Sequence, residues 1–184
     1  MHKLPFNLPD KEYQFWKSYQ YNGQTLSFDH LTACKHEFTH QKRDEKYTLY
    51  FTFSHHTFTR KKANNESPNQ SEFYPFPPKD LRIFDLERYK LSKHLPEIVK
   101  TMPSQFFYHG GYSRYCSCKI TTDDGTEIYY QVVYRVWRKQ GKMRFHVESA
   151  YPLPEKPSKV KKVDFWVICY NLSKGKKLPQ PSNK

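Results

Sequence analysis

Glu127–Pro152 reads EIYYQVVYRVWRKQGKMRFHVESAYP, and this stretch decides the fold. Two runs rich in aromatic and β-branched residues, Glu127–Arg138 and Met143–Tyr151, flank Lys139-Gln140-Gly141-Lys142, so the stretch predicts an antiparallel hairpin closed by a two-residue turn at Gln140-Gly141. That turn sets Arg135 opposite His146 and Val133 opposite Glu148. One face then carries Tyr130, Val132, Tyr134 and Val136 with Phe145, Val147 and Tyr151, which is the expected core. The other carries Arg135, Trp137, Arg144, His146 and Glu148.

Outward from this hairpin the pattern repeats. Tyr112–Ile120 precedes it across an Asp123-Asp124-Gly125-Thr126 turn, which places Arg114 opposite Arg135, and Val163–Asn171 reads as a further strand. In the first half, Ala33–His40 and Tyr47–Ser54 alternate in period two around a polar Arg43–Lys46 loop, and Asn22-Gly23 marks the turn of an N-terminal hairpin. Leu91, Leu95, Ile98 and Met102 form one helical stripe interrupted by Pro96, which predicts a kink or two short helices with Pro96 in the first turn of the second. The fold class expected is therefore α+β: an antiparallel sheet, a meander in the C-terminal half, one or two helices and an N-terminal β-hairpin. One domain spans 1–184, with a flexible loop over 60–79 and a basic tail over 172–184.

The 184 residues carry 31 Lys and Arg against 18 Asp and Glu, a net charge of +13, and 17% aromatic side chains. That aromatic content argues against disorder. No run approaches the ~18 apolar residues of a membrane span, and Met1–Pro9 lacks the apolar stretch of a signal peptide. Cys34, Cys116, Cys118 and Cys169 are too sparse for a disulfide framework. These features favour a cytoplasmic protein with no membrane partner and no bound cofactor.

Basic side chains interleaved with aromatic ones suit a phosphate backbone with exposed bases, and the absence of any helix-based duplex-reading motif favours RNA over duplex DNA. Arg114, Arg135 and His146 fall in one row across three strands, with Glu148 beside them. Histidine, carboxylate and guanidinium are the groups that a metal-independent RNA cleavage by the 2′-hydroxyl requires. His55 and His56, at the end of a strand before the Pro-rich loop, are further catalytic candidates. Arg144, Arg138, Trp137, Arg60, Lys61, Lys62 and Arg88 are candidate nucleic-acid contacts.

The run Phe145–Pro152, a penultimate strand ending in Ser-Ala-Tyr-Pro, resembles the closing strand motif of the BECR superfamily of small ribonucleases, which includes RelE-like toxins and EndoU-like effectors. The resemblance implies a helix-containing N-terminal part followed by a meander, a sheet face that cleaves RNA without metal, and Ser149 and Tyr151 as catalytic Ser/Thr and Tyr positions. The upstream histidine would lie in Phe53–Arg60. It further implies a hydrolase of toxin–antitoxin or phage-defence type, with an acidic antitoxin as partner. The hairpin register turns Ser149 and Tyr151 to the apolar face, away from His146.

The expected function is thus an RNA-binding endoribonuclease. Two other readings stand beside it. One is a non-catalytic nucleic-acid-binding or protein-interaction module of a mobile element. The other is a metal-dependent enzyme in which Cys34, His36 and His55 approach one another, because a tight turn at Asp44-Glu45 would place Cys34 opposite His55.

Overall fold

The computed structural model describes residues 15–77, 79–105, 107–110, 114–121, 125–158 and 161–180, with backbone alone at 114 and 116–119. The order is β1 (Tyr19–Tyr21), β2 (Gln24–Leu26), β3 (Cys34–His40), β4 (Glu45–Phe53), β5 (Thr59–Arg60), β6 (Phe73–Tyr74) and β7 (Arg82–Phe84). Then follow α1 (Leu86–Ser92), α2 (Leu95–Lys100), β8 (Phe107–His109), β9 (Arg114–Thr121), β10 (Glu127–Lys139), β11 (Lys142–Pro152), β12 (Lys162–Val163) and α3 (Phe165–Ser173). The chain is α+β, with the N-terminal hairpin β1–β2 and the bent pair α1 and α2 where the sequence places them. Of the meander turn Asp123–Thr126, residues 123 and 124 lie outside the described residues, as do Tyr112, the leader Met1–Pro9 and the last four residues of the tail.

A seven-stranded sheet in the order β12-β8-β9-β10-β11-β4-β3 forms the body of the molecule. Its β10–β11 turn has positive φ at both Gln140 and Gly141, the conformation that matches strand twist in a two-residue hairpin. The register is Arg135 opposite His146 and Arg135 opposite Arg114, as read from the turns. A non-local feature joins the two halves of the chain: β11 pairs in parallel with β4, setting His146 beside Thr52 and Val147 beside Phe53. The end of the first strand pair is thereby brought against the end of the meander.

Two elements differ from the sequence reading. Val163–Asn171 is mostly helix rather than strand. The Asp164 carboxylate caps it, accepting from the Trp166 and Val167 amides at 2.7 and 3.2 Å, and Phe165, Ile168, Cys169 and Leu172 form a buried stripe at helical spacing. The β-branched and aromatic composition imitates a strand, but the cap and stripe prevail. The β3–β4 connection is a four-residue loop, not a tight turn, so Cys34 lies opposite Phe51 and His36 opposite Leu49. The displacement is even, so the faces are preserved while the Cys34 to His55 pairing is lost. The segment 60–79 contains β6, which pairs with β7 in a three-stranded sheet of order β5-β7-β6.

One face of the large sheet is core. The Phe165 ring of α3 packs 5.3 Å from Phe38, 5.8 Å from Phe107 and 6.3 Å from Phe145. A second aromatic cluster lies under the small sheet, where the Phe28 and Phe58 rings pack tilted at 4.1 Å and the Trp16 indole N–H donates to the Phe53 carbonyl at 3.0 Å. Each fully buried ring contributes about 1.5–3 kcal/mol. The second cluster holds the turn that follows β4, which carries His55 and His56. Among the described residues no helix is long and apolar enough to cross a membrane.

Candidate functional site

The face of the large sheet opposite α3 is polar and aromatic in rows. Lys35 lies opposite Tyr50, Tyr50 beside Arg144, and Arg144 opposite Trp137, so cation and ring alternate across four strands. The Arg135 guanidinium sits 4.8 Å over the Trp137 ring and the Lys142 ammonium 5.4 Å over Tyr50. Lys35 and Arg135 are exposed and the two rings are half-buried. The adjoining row runs Thr52, His146, Arg135 and, by backbone register, Arg114.

At the end of this face a cleft of about 390 Å³ is lined by Ser54, His56, Val133, His146, Glu148, Ser149 and Tyr151. Its existence depends on a β-bulge. Tyr134 pairs with Val147 but Val133 pairs with Ser149, so Glu148 is the extra residue of β11, rather than the partner of Val133 that simple alternation predicts. The bulge reverses the alternation beyond it. Ala150, not Tyr151, enters the core and is fully buried, while Ser149 and Tyr151 turn to the side of His146. Two sets of candidate residues that an unbroken strand would place on opposite faces therefore line one cleft.

The groups around the cleft are tightly held. The Gln131 amide donates to the Tyr151 hydroxyl at 2.9 Å, and the Tyr108 hydroxyl donates to the Gln131 carbonyl oxygen at 2.9 Å. Glu148 pairs with Arg135 at 3.4 Å. His146 Nδ1 lies 2.8 Å from the Thr52 hydroxyl, and burial, reinforced by the Arg135 charge, pushes its pKa down to about 3. The imidazole at the centre of the sequence-read row is therefore neutral at pH 7 rather than poised to titrate near neutrality.

His55 and His56 sit on a 3-10 turn at His55–Thr57, capped by the Ser54 hydroxyl, which accepts from the His56 amide at 3.2 Å. Burial lowers the His55 pKa to about 4 and also lowers that of His56. Asp80 Oδ2 lies 3.1 Å from His55 Nε2 and 3.0 Å from His56 Nε2. Sequence reasoning missed Asp80, because it stands 24 residues from His56 beyond a stretch with no periodic pattern. Thr52, Ser54 and Gln131 were missed too, although their placement follows from the register once β4 is known to lie beside β11.

Several basic candidates do structural work. Arg60 makes a two-pronged pair with Glu66 at 2.7 Å for each bond. Arg88 donates to the carbonyls of His56 and Thr59 at 3.2 and 3.0 Å and lies 5.3 Å over the Tyr151 ring, so it clamps the histidine turn to the cleft. Arg138 donates to the Ser173 carbonyl at the end of α3 at 2.7 Å. Arg144 is only 3% exposed. Lys61 and Lys62 are exposed. Cys34 Sγ approaches His36 Nε2 at 3.6 Å, but among the described residues the group with metal-ligand geometry is His55, His56 and Asp80, not Cys34, His36 and His55.

The YjaZ family model matches residues 18–173. Protein YjaZ of Escherichia coli (strain K12) is 36% identical over 142 residues, which cover 77% of this chain and 79% of that protein. No solved structure matches. These findings overturn the resemblance to the BECR ribonucleases: a single short strand ending in Ser-Ala-Tyr-Pro suggested it, whereas the family match takes in both halves of the sheet. The toxin–antitoxin and phage-defence readings thereby lose the resemblance that suggested them, and the acidic antitoxin, inferred through that family alone, is left without support. A match that starts beside the first strand of the N-terminal hairpin and ends with the last residue of α3 spans every strand and helix described above, and the chain belongs to the YjaZ family.

Proposed function

We propose that this protein binds single-stranded RNA across the open face of its large sheet. The observation that carries the reading is the set of half-buried rings and accessible cations on this face, with Lys35 opposite Tyr50, Lys142 5.4 Å over Tyr50 and Arg135 4.8 Å over Trp137. Base stacking on an aromatic side chain contributes about 1–3 kcal/mol per base and tolerates any sequence, and each Lys or Arg that neutralises a phosphate releases a counterion. The net charge of +13 draws the polyanion to the molecule, and the reduced thiols of Cys34 and Cys169 suit the cytoplasm as its setting. Fluorescence anisotropy of labelled single-stranded and duplex RNA at several salt concentrations tests this. Preferential binding of the single strand, weakening steeply with salt, is expected; binding that ignores salt, or none at all, overturns it.

The bulge-built cleft favours a second reading, in which bound RNA is cut without metal. The 2′-hydroxyl would lose its proton to the Glu148 carboxylate and attack phosphorus, and the departing 5′-oxygen would take a proton from the Tyr151 phenol. Arg135 would face the charge on the phosphorane. His56 and Ser149 complete the wall. Incubation in EDTA separates the readings. RNA fragments ending in 2′,3′-cyclic phosphate, with matched DNA untouched, support cleavage. Bound but intact RNA leaves a binding protein.

A further inference from the structure

We propose that His55, His56 and Asp80 form a binding site for a divalent transition metal of the zinc class. One ring nitrogen of each imidazole and an Asp80 carboxylate oxygen lie within 4.8 Å of one another, close enough for a single ion to replace the contacts they now make among themselves. Two imidazoles and one carboxylate are a donor set that zinc accepts, and three protein ligands leave a fourth position for water or a ligand.

The ligands are held before any ion arrives. The turn carrying the histidines is fixed by the Thr57 hydroxyl donating to the Ser54 carbonyl at 2.8 Å, the Thr59 hydroxyl donating to the His55 carbonyl at 2.7 Å, and Arg88 donating to the His56 carbonyl. The His55 ring is wedged 5.3 Å from Trp16. Asp80 is placed by its own amide, which donates to the Pro77 carbonyl at 3.2 Å, and its main-chain oxygen lies 3.3 Å from His55 Nε2. Such supporting contacts set the orientation of metal ligands.

The groups that face the trio include the Arg82 and Arg88 guanidiniums, whose positive charges oppose a cation. Arg82 Nε is turned away to donate to the Thr59 hydroxyl at 3.0 Å. These charges lower affinity without blocking the ligand atoms.

The test is calorimetric titration of the metal-stripped full chain with zinc chloride, repeated with cobalt to read the ligand-field spectrum. No RNA is present, so the outcome is independent of the function proposed above. One equivalent of zinc is expected, with affinity falling by about ten-fold or more in Asp80→Asn and in His56→Gln and unchanged in Cys34→Ser. The cobalt adduct should lack a thiolate charge-transfer band. Asp80 and His56 are partly exposed, and circular dichroism verifies that both variants fold. No stoichiometric binding, which would make the trio a hydrogen-bonded network alone, overturns the proposal. So does binding that survives both substitutions or disappears with Cys34→Ser.

Discussion

Lowering the pH should destabilise this fold through a histidine that cannot accept its proton. His146 is 9% exposed, its pKa in the folded chain is about 3, and in the unfolded chain it returns to the ordinary 6.5. Below 6.5 the unfolded state binds a proton that the native state refuses. Stability contributed by neutral His146 is therefore fully present above 6.5 and is lost as the pH falls from there towards 3. At about pH 5, some 1.5 units below the unfolded value, the loss is about 2 kcal/mol at 1.36 kcal/mol per unit. His55, lowered to about 4, adds a loss of similar size in the same window. The perturbation that isolates His146 is His146→Gln, whose amide can keep a hydrogen bond to Thr52 but does not titrate in this range. Urea unfolding followed by tryptophan fluorescence at about pH 7.5 and pH 5 gives four free energies. The drop on acidification should be about 2 kcal/mol smaller in the variant than in the parent, whatever the variant costs at neutral pH. Equal drops in the two proteins would refute the claim that His146 is buried and neutral.

Further outcomes follow from the packing and the open face. Phe145→Ala removes a ring wedged between Phe51, Tyr134 and Phe165, and should cost about 3–5 kcal/mol in urea unfolding. Asp164→Ala deprives α3 of its cap and should cost about 1 kcal/mol by the same measurement. Trp137→Ala should weaken single-stranded RNA binding by about 5- to 150-fold in anisotropy, with an unchanged circular dichroism spectrum. Lys35→Ala should weaken binding on every RNA sequence alike and reduce the salt slope by about 0.7.

Much of the fold was legible because it rests on local chemistry. Gln140-Gly141 dictates a two-residue turn, that turn dictates the register, and the register places Arg135 opposite His146 with no knowledge of the rest of the chain. Pro96 likewise separates α1 from α2 through its missing donor. What escaped was non-local or depended on a single irregularity. The parallel pairing of β4 with β11 has no sequence signature, yet it brings the His55–His56 turn to the cleft. The bulge at Glu148 shows in the sequence only as Ala150, small enough for the core position that alternation assigns to Tyr151. Asp80 could not be paired with the histidines, because the intervening stretch offers no period from which to infer a contact. Val163–Asn171 reads as a strand because aromatic and β-branched residues suit a strand as readily as a buried helical stripe. The Asp164 cap and the spacing of Phe165, Ile168, Cys169 and Leu172 were the signals to weigh.

The central claim is that RNA lies on the sheet face and not merely against the basic tail. Photo-crosslinking of a 4-thiouridine-substituted single strand to the full chain, followed by mass spectrometry of the adducted peptides, tests it most directly. Adducts on the peptides containing Tyr50 and Trp137, suppressed by excess unlabelled single strand, are the predicted result. Adducts confined to the lysines beyond α3, with those two peptides unmodified, would contradict it.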